Sequence, residues 1–65
     1  MFRHHKSNRI LRMEDLVKQV ALKPSSIYGL VQAGKFPKPF KIVPGGRASG
    51  WLNSDIESWL LSRAA

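Results

Sequence analysis

The sequence predicts a mainly α-helical domain with a small β-hairpin, and its 65 residues leave room for one domain. Two short segments between residues 13 and 33 have the apolar spacing of amphipathic helices. A proline-containing stretch then interrupts the helical pattern, and two extended segments follow around a glycine turn. A third amphipathic segment lies near the end of the chain. Together these observations predict three helices and a two-stranded hairpin.

The chain opens with a segment that has charge but no helical or strand periodicity. Residues 1–8 are therefore expected to form a flexible basic arm, and the folded domain is expected to cover residues 9–65. Ile10-Leu11 is a short apolar segment, which is expected to form either a single strand or a hydrophobic staple for the helix after it.

The first helix is predicted from about Met13 to Val20. Its apolar face is formed by Leu16, Val17 and Val20. Glu14 and Asp15 lie in the first turn, where carboxylates interact favourably with the positive end of the helix dipole. These acids therefore have a structural role that requires no further function.

The second helix is predicted from about Pro24 to Ala33. Pro24 falls at the first helical position, where its missing N–H costs nothing, and Gly34 follows as a left-handed cap. The buried face is expected to consist of Ile27, Leu30 and Val31. The residues left on the outer face are Ser25, Ser26, Tyr28, Gly29 and Gln32, and none of them is acidic.

The hairpin is predicted between Phe40 and Leu52. Two prolines before it exclude a helix, and Pro44-Gly45-Gly46-Arg47 forms its turn. Alternation along the first strand predicts that Phe40 and Ile42 point inward and that Lys41 points outward.

The third helix is expected to begin at Asn53 or Ser54. Ser54 and Glu57 have the spacing of a capping box. Trp59 is expected to be buried and to close the core against Trp51 and Phe36.

The charge balance points to an anionic partner. Eleven Lys and Arg against four Asp and Glu give a net charge of +7, and nine of the bases lie in two acid-free stretches, residues 1–12 and 23–47. Two short helices joined by about three residues are typical of a helix-turn-helix. A basic hairpin after such a pair is typical of a wing, which contacts the phosphate backbone or a minor groove of DNA.

No catalytic or metal site is expected. The chain has no cysteine, His4 and His5 lack a third ligand, and Asp55 and Glu57 fall on different faces of the third helix. The protein is therefore predicted not to be an enzyme and to need no cofactor.

No apolar run approaches the ~18 residues of a transmembrane helix. The first residues lack the apolar segment of a signal peptide, so a cytoplasmic, nucleoid-associated protein without membrane contact is expected.

A resemblance to a known family covers roughly residues 9–63 and rests on five stretches. They are Arg9-Ile10-Leu11-Arg12-Met13, Ser25-Ser26-Ile27-Tyr28, Gly34-Lys35-Phe36-Pro37-Lys38-Pro39, Gly50-Trp51-Leu52 and Ile56-Glu57-Ser58-Trp59-Leu60. In this combination the chain resembles the AlpA-type prophage regulatory proteins, which are related to excisionases and to MerR-type DNA-binding domains. The resemblance implies a winged helix-turn-helix that regulates phage or prophage transcription, with the second helix as recognition helix. The chain departs from the family at Ala21, where a glycine is common, and at Gly29, where a polar side chain is common.

Double-stranded DNA is accordingly the expected partner. The residues expected to contact it are Arg9, Arg12, Lys23, Ser25, Ser26, Tyr28, Gln32, Lys38, Lys41 and Arg47. The second helix is expected to enter the major groove, while the hairpin from residue 40 to residue 52 contacts the backbone or the minor groove.

Two other functions agree with the same charge pattern. One is an architectural excisionase, which bends DNA and contacts an integrase. The other is an interaction module for an acidic protein. RNA polymerase is a further candidate partner, and a monomer or a weak dimer that binds DNA cooperatively is expected.

Overall fold

The computed structural model describes residues 9–64, so the predicted arm of residues 1–8 lies outside the described residues. Its elements follow one another as β1 (Ile10–Leu11), α1 (Met13–Val20), α2 (Pro24–Gln32), β2 (Phe40–Lys41), β3 (Ser49–Leu52) and α3 (Asn53–Ala64). The prediction of a mainly helical domain with a winged arrangement is confirmed. The sheet, however, has three strands rather than two, because residues 10 and 11 form a strand of their own.

Strand β3 is the centre of this antiparallel sheet, whose order is β1-β3-β2. Its second half pairs with β1, with Leu11 opposite Trp51, and its first half pairs with β2, with Phe40 opposite Gly50. Strand β1 comes so close at Gly50 that a Cβ atom there would lie 2.8 Å from Ile10 Cγ2 and 2.9 Å from the Leu11 carbonyl oxygen. The wing is thus joined through β3 to the start of the folded chain.

Helix α1 covers the predicted range, and a hydrogen bond caps it at each end. The Asp15 carboxylate accepts a hydrogen bond of 3.0 Å from the Arg12 backbone N–H. At the other end Ala21 adopts a left-handed conformation with φ of 59°, and its N–H donates to the Val17 carbonyl at 2.9 Å. Ala21 is the one non-glycine residue in the described chain with positive φ. It turns the chain towards α2.

Helix α2 ends in a Schellman motif. Gly34 has a φ of 73°, as predicted, and its N–H donates to the Val31 carbonyl at 3.0 Å. The Lys35 N–H donates to the Leu30 carbonyl at 2.8 Å. The helix itself stops at Gln32, one residue before the predicted end, with Ala33 as its cap.

The buried core draws on every helix and on strands β1 and β3. Its members are Leu11, Leu16, Ile27, Phe36, Trp51 and Ile56. Phe36 meets the ring of Trp51 edge-on at a centroid distance of 6.3 Å and that of Trp59 at 4.6 Å. The predicted aromatic cluster therefore exists, with Phe36 between the two indoles.

The prediction that Trp59 is buried is wrong, since this side chain is only half-buried. Its indole N–H donates to the Lys35 carbonyl at 2.8 Å at the surface, and the Arg63 guanidinium lies 5.5 Å from its ring centroid. The Trp51 indole takes the interior position and donates to the Pro37 carbonyl at 2.7 Å. Each indole N–H needs an acceptor, and the acceptor available to Trp59 lies at the edge of the domain.

Helix α3 follows β3 without a loop and begins at Asn53. The Asn53 side chain is buried, where its Oδ1 accepts from Gln19 Nε2 at 3.2 Å and its Nδ2 donates to Glu57 Oε2 at 3.1 Å. The Glu57 carboxylate, predicted to cap the helix together with Ser54, thus pairs with Asn53. The Asn53 backbone N–H donates to the Arg9 carbonyl at 2.9 Å, which fixes the start of β1 to the start of α3.

Candidate nucleic-acid interface

All ten residues that the sequence singles out for DNA contact have exposed side chains. The nine lysines and arginines among residues 9–64 are likewise all exposed. None of these cations is therefore committed to the core, and each can meet a partner in solution.

Helix α2 presents a polar outer face that contains no acid. Ile27 is completely buried and fixes the rotation of the helix, which leaves the Tyr28 side chain 56% exposed. Ser25, Ser26 and Gln32 share this exposure. The outer face of α2 is unobstructed at Gly29, since a Cβ atom at this position would have no neighbour within 4 Å.

The start of α2 is electrostatically positive. Lys23 is its N-cap residue, Pro24 occupies the first turn, and no acidic residue lies in that turn. The positive end of the helix dipole and the Lys23 ammonium therefore add together, which favours an anion at this end of the helix.

The tip of the wing is a hydrogen-bonded turn. The Gly46 N–H donates to the Val43 carbonyl at 2.9 Å, and Gly45 between them has a φ of 79°, as a type II turn with Pro44 at its second position requires. The Lys41 ammonium donates to the Gly46 carbonyl at 3.0 Å and braces this turn from the strand below.

The side chains of β2 differ in part from the predicted alternation. Lys41 is exposed, as predicted, but Phe40 also keeps 38% of its surface exposed, so its predicted inward packing is wrong. Strand β2 has only two residues and lies at the edge of the sheet, so little of the core reaches it.

A cleft of about 310 Å³ lies where the start of α1, the outer face of α2 and the wing meet. It brings together three of the ten predicted residues, Arg12, Tyr28 and Arg47. Two guanidinium groups and a phenol provide hydrogen-bond donors that suit phosphate oxygens. The remaining lining residues are Met13, Glu14, Pro39, Ser49 and Trp51.

The other predicted residues do not join this cleft. Arg9 lies on a different surface beside Asp15, Lys18 and Gln19. Lys23 is at the start of α2 and Lys38 is in the segment between α2 and β2. Sequence reasoning also missed Glu14 and Ser49 as cleft residues, because only the tertiary fold brings α1 and β3 to the same place.

A larger groove of about 550 Å³ lies beside α3. Like the smaller cleft it is lined by two cations and one carboxylate, here Lys35, Arg63 and Asp55, but its lining comes only from α3 and residues 34–37. The Trp59 N–H already has an acceptor within the chain. We therefore place the candidate interface at the smaller cleft, where three separate elements converge.

Within residues 9–64, no helix is both long and apolar enough to cross a bilayer. The same residues include no group of three His, Cys, Asp or Glu side chains that could hold a metal ion.

The chain is similar to a family of prophage regulatory proteins and to a phage protein. Residues 9–64 match the family model described as prophage CP4-57 regulatory protein (AlpA). The protein ORF88 of Enterobacteria phage P4 is 33% identical over 57 residues, which cover 88% of this chain and 62% of ORF88. The chain thus spans about three fifths of the length of this relative. No solved structure matches the chain.

Proposed function

Because the chain belongs to the AlpA family of prophage regulatory proteins, we propose that it is a sequence-specific DNA-binding regulator of phage or prophage transcription. The observation that carries the proposal is the cleft in which Arg12 of the α1 start, Tyr28 of α2 and Arg47 of the wing meet. It gives the helix-turn-helix and the wing one common face. Such a protein would act in the bacterial cytoplasm, on the nucleoid.

The recognition element in this proposal is α2. The major groove of B-DNA is wide enough to admit an α-helix, and its base edges present donors and acceptors to short polar side chains. Ser25, Ser26 and Gln32 are exposed on the same helix and have the right chemistry to read base edges. Gln32 is suited to adenine, with which an amide forms two hydrogen bonds.

The wing and the cleft supply contacts to the DNA backbone. Arg12, Tyr28 and Arg47, which line the cleft, would contact phosphate oxygens, and Arg47 directly follows the turn that Lys41 braces. Lys23 at the start of α2 and Lys38 in the segment after it add two exposed cations. These contacts position the protein on the duplex without reading its sequence.

The proposal is tested by selection of bound duplexes from a random pool, followed by a footprint on the DNA beside the gene. We expect a defined sequence to be enriched and protected by the protein alone. Recovery of sequences no different from the starting pool would contradict the proposal.

The same footprint distinguishes a regulator from an architectural excisionase. An excisionase would protect repeated sites and would change the footprint of an added phage integrase. A transcriptional regulator would bind without integrase and would change promoter occupancy by RNA polymerase.

A further inference from the structure

The cleft contains one acidic side chain among its cations. Glu14 lines it together with Arg12, Tyr28 and Arg47, and it is exposed. A carboxylate beside two guanidinium groups opposes the entry of a phosphate. The helix dipole explains a carboxylate in the first turn of α1, but it does not explain a carboxylate in a cleft that is proposed to meet phosphate.

The start of α1 already has a capping carboxylate in Asp15. The Asp15 side chain accepts the hydrogen bond from the Arg12 backbone N–H at 3.0 Å. Glu14 lies one residue earlier, is exposed and lines the cleft. The cap of α1 thus does not depend on Glu14, which leaves this carboxylate available to a ligand.

Carboxylates on DNA-binding surfaces accept hydrogen bonds from exocyclic amino groups, above all from the N4 amino group of cytosine. They repel phosphate oxygens over the same distances. A cleft whose lining includes an exposed carboxylate as well as two arginines therefore offers a base amino group an acceptor, and at that carboxylate it disfavours a phosphate.

We propose that Glu14 is a specificity-determining residue, which accepts a hydrogen bond from an amino group of a base edge and repels phosphate from its own part of the cleft. This inference rests on the proposed function, because it assumes that the cleft faces DNA. On the preferred sequence a base amino group donates a hydrogen bond to the carboxylate, which offsets the repulsion between the carboxylate and the DNA. On any other sequence the carboxylate stays unpaired beside the DNA, so binding is weaker there.

The test compares Glu14→Gln with Asp55→Asn, using the full-length protein. Both residues are exposed, both lie in the first turn of a helix, and both changes remove one negative charge. Asp55 lines the groove beside α3 and not the cleft, so it controls for the change in net charge. Thermal melting of both variants verifies that they fold.

The measured quantity is the ratio of the dissociation constants for a scrambled duplex and for the duplex recovered by selection. We expect Glu14→Gln to tighten binding to the scrambled duplex and to lower the ratio roughly tenfold. Asp55→Asn should strengthen binding to both duplexes equally and leave the ratio unchanged. Selection repeated with the Glu14→Gln variant should lose its preference at one amino-bearing base.

Two failures are distinguishable in this experiment. If the wild-type protein binds both duplexes equally, the proposed function fails and the role of Glu14 fails with it. If the wild-type protein discriminates but both variants keep its ratio, or both lower it equally, only the role of Glu14 is overturned.

Discussion

Ala21 carries the clearest local strain in the domain. Its φ of 59° is a conformation that costs an L-residue roughly 1–2 kcal/mol and glycine almost nothing. The family resemblance singled out this position because glycine is common there, and the geometry of the turn between α1 and α2 now gives the reason.

Replacing Ala21 with glycine is therefore expected to stabilise the protein by about 1 kcal/mol. For a domain of this size that corresponds to a rise in melting temperature of roughly 4–8 °C. Ala33→Gly is the matched control, since Ala33 caps α2 with a right-handed φ of −80°. It should lower the melting temperature, and a rise of equal size in both variants would refute the assignment of strain to Ala21.

Gly50 is restricted by space rather than by its backbone angles. A methyl group there would lie 2.8 Å from Ile10 Cγ2 and 2.9 Å from the Leu11 carbonyl oxygen, so β1 would have to move away from β3. Gly50→Ala is expected to cost ~1–3 kcal/mol in the free energy of unfolding, measured by chemical denaturation.

The control for this change is Gly29→Ala on α2. No atom lies within 4 Å of the added methyl group there, and alanine favours a helix over glycine by up to about 1 kcal/mol. The two alanine variants should therefore shift stability in opposite directions. Equal stability of the Gly50→Ala variant and the wild type would show that β1 does not pack against β3 as described.

At the scale of elements, α2 and the wing are expected to contribute differently to DNA binding. Arg47→Ala in the wing removes a phosphate contact, so it should weaken binding to all duplexes about equally and reduce the salt slope by ~1. If Arg47 enters a narrow, A·T-rich minor groove, some sequence preference is lost with it.

Gln32→Ala on α2 should instead reduce discrimination between the selected and scrambled duplexes, because a good base contact is worth ~1–3 kcal/mol.

Competition binding on the two duplexes measures both effects. The roles of α2 and the wing would be reversed by the opposite pattern. In that pattern Gln32→Ala weakens binding to both duplexes equally, and Arg47→Ala alone removes discrimination on sequences without a narrow minor groove.

Lys41→Ala should resemble Arg47→Ala in its loss of general affinity. In that variant the loss has two sources, since the Lys41 ammonium also braces the turn through the Gly46 carbonyl.

The helices could be predicted from sequence because their signals are local. The apolar spacing of α1, the proline at the start of α2 and the glycine after its end act within a few residues of one another. The pairing of β1 with β3 could not be predicted in this way. This pairing joins residues 10 and 52, and the residues next to a two-residue apolar segment do not indicate with which distant strand it will pair.

The same limit applies to the candidate site. The sequence indicated which cations lack nearby acids, and the structure confirms that the side chains concerned are exposed. It did not indicate that Arg12, Tyr28 and Arg47 share one cleft, nor that Glu14 lies among them. The helix dipole is a sufficient reason for a carboxylate at Glu14, so the sequence alone does not indicate that this residue also lines a cleft.

At the scale of the whole molecule, charge is distributed unevenly. The chain carries a net charge of +7, and residues 23–47, which form α2 and most of the wing, contain five bases and no acid. Two of the four acids lie on α3. This distribution orients the protein in the field of a polyanion before any specific contact forms.

The assignment of this basic face to DNA is tested most directly by fluorescence anisotropy of the selected duplex and its scrambled control at increasing salt. If ~4–6 phosphates are neutralised, the logarithm of the association constant should fall against the logarithm of salt with a slope of about −4 to −5. The selected duplex should bind more tightly than the scrambled one at every salt concentration. A slope near zero on both duplexes, or equal affinity for both, would contradict the assignment.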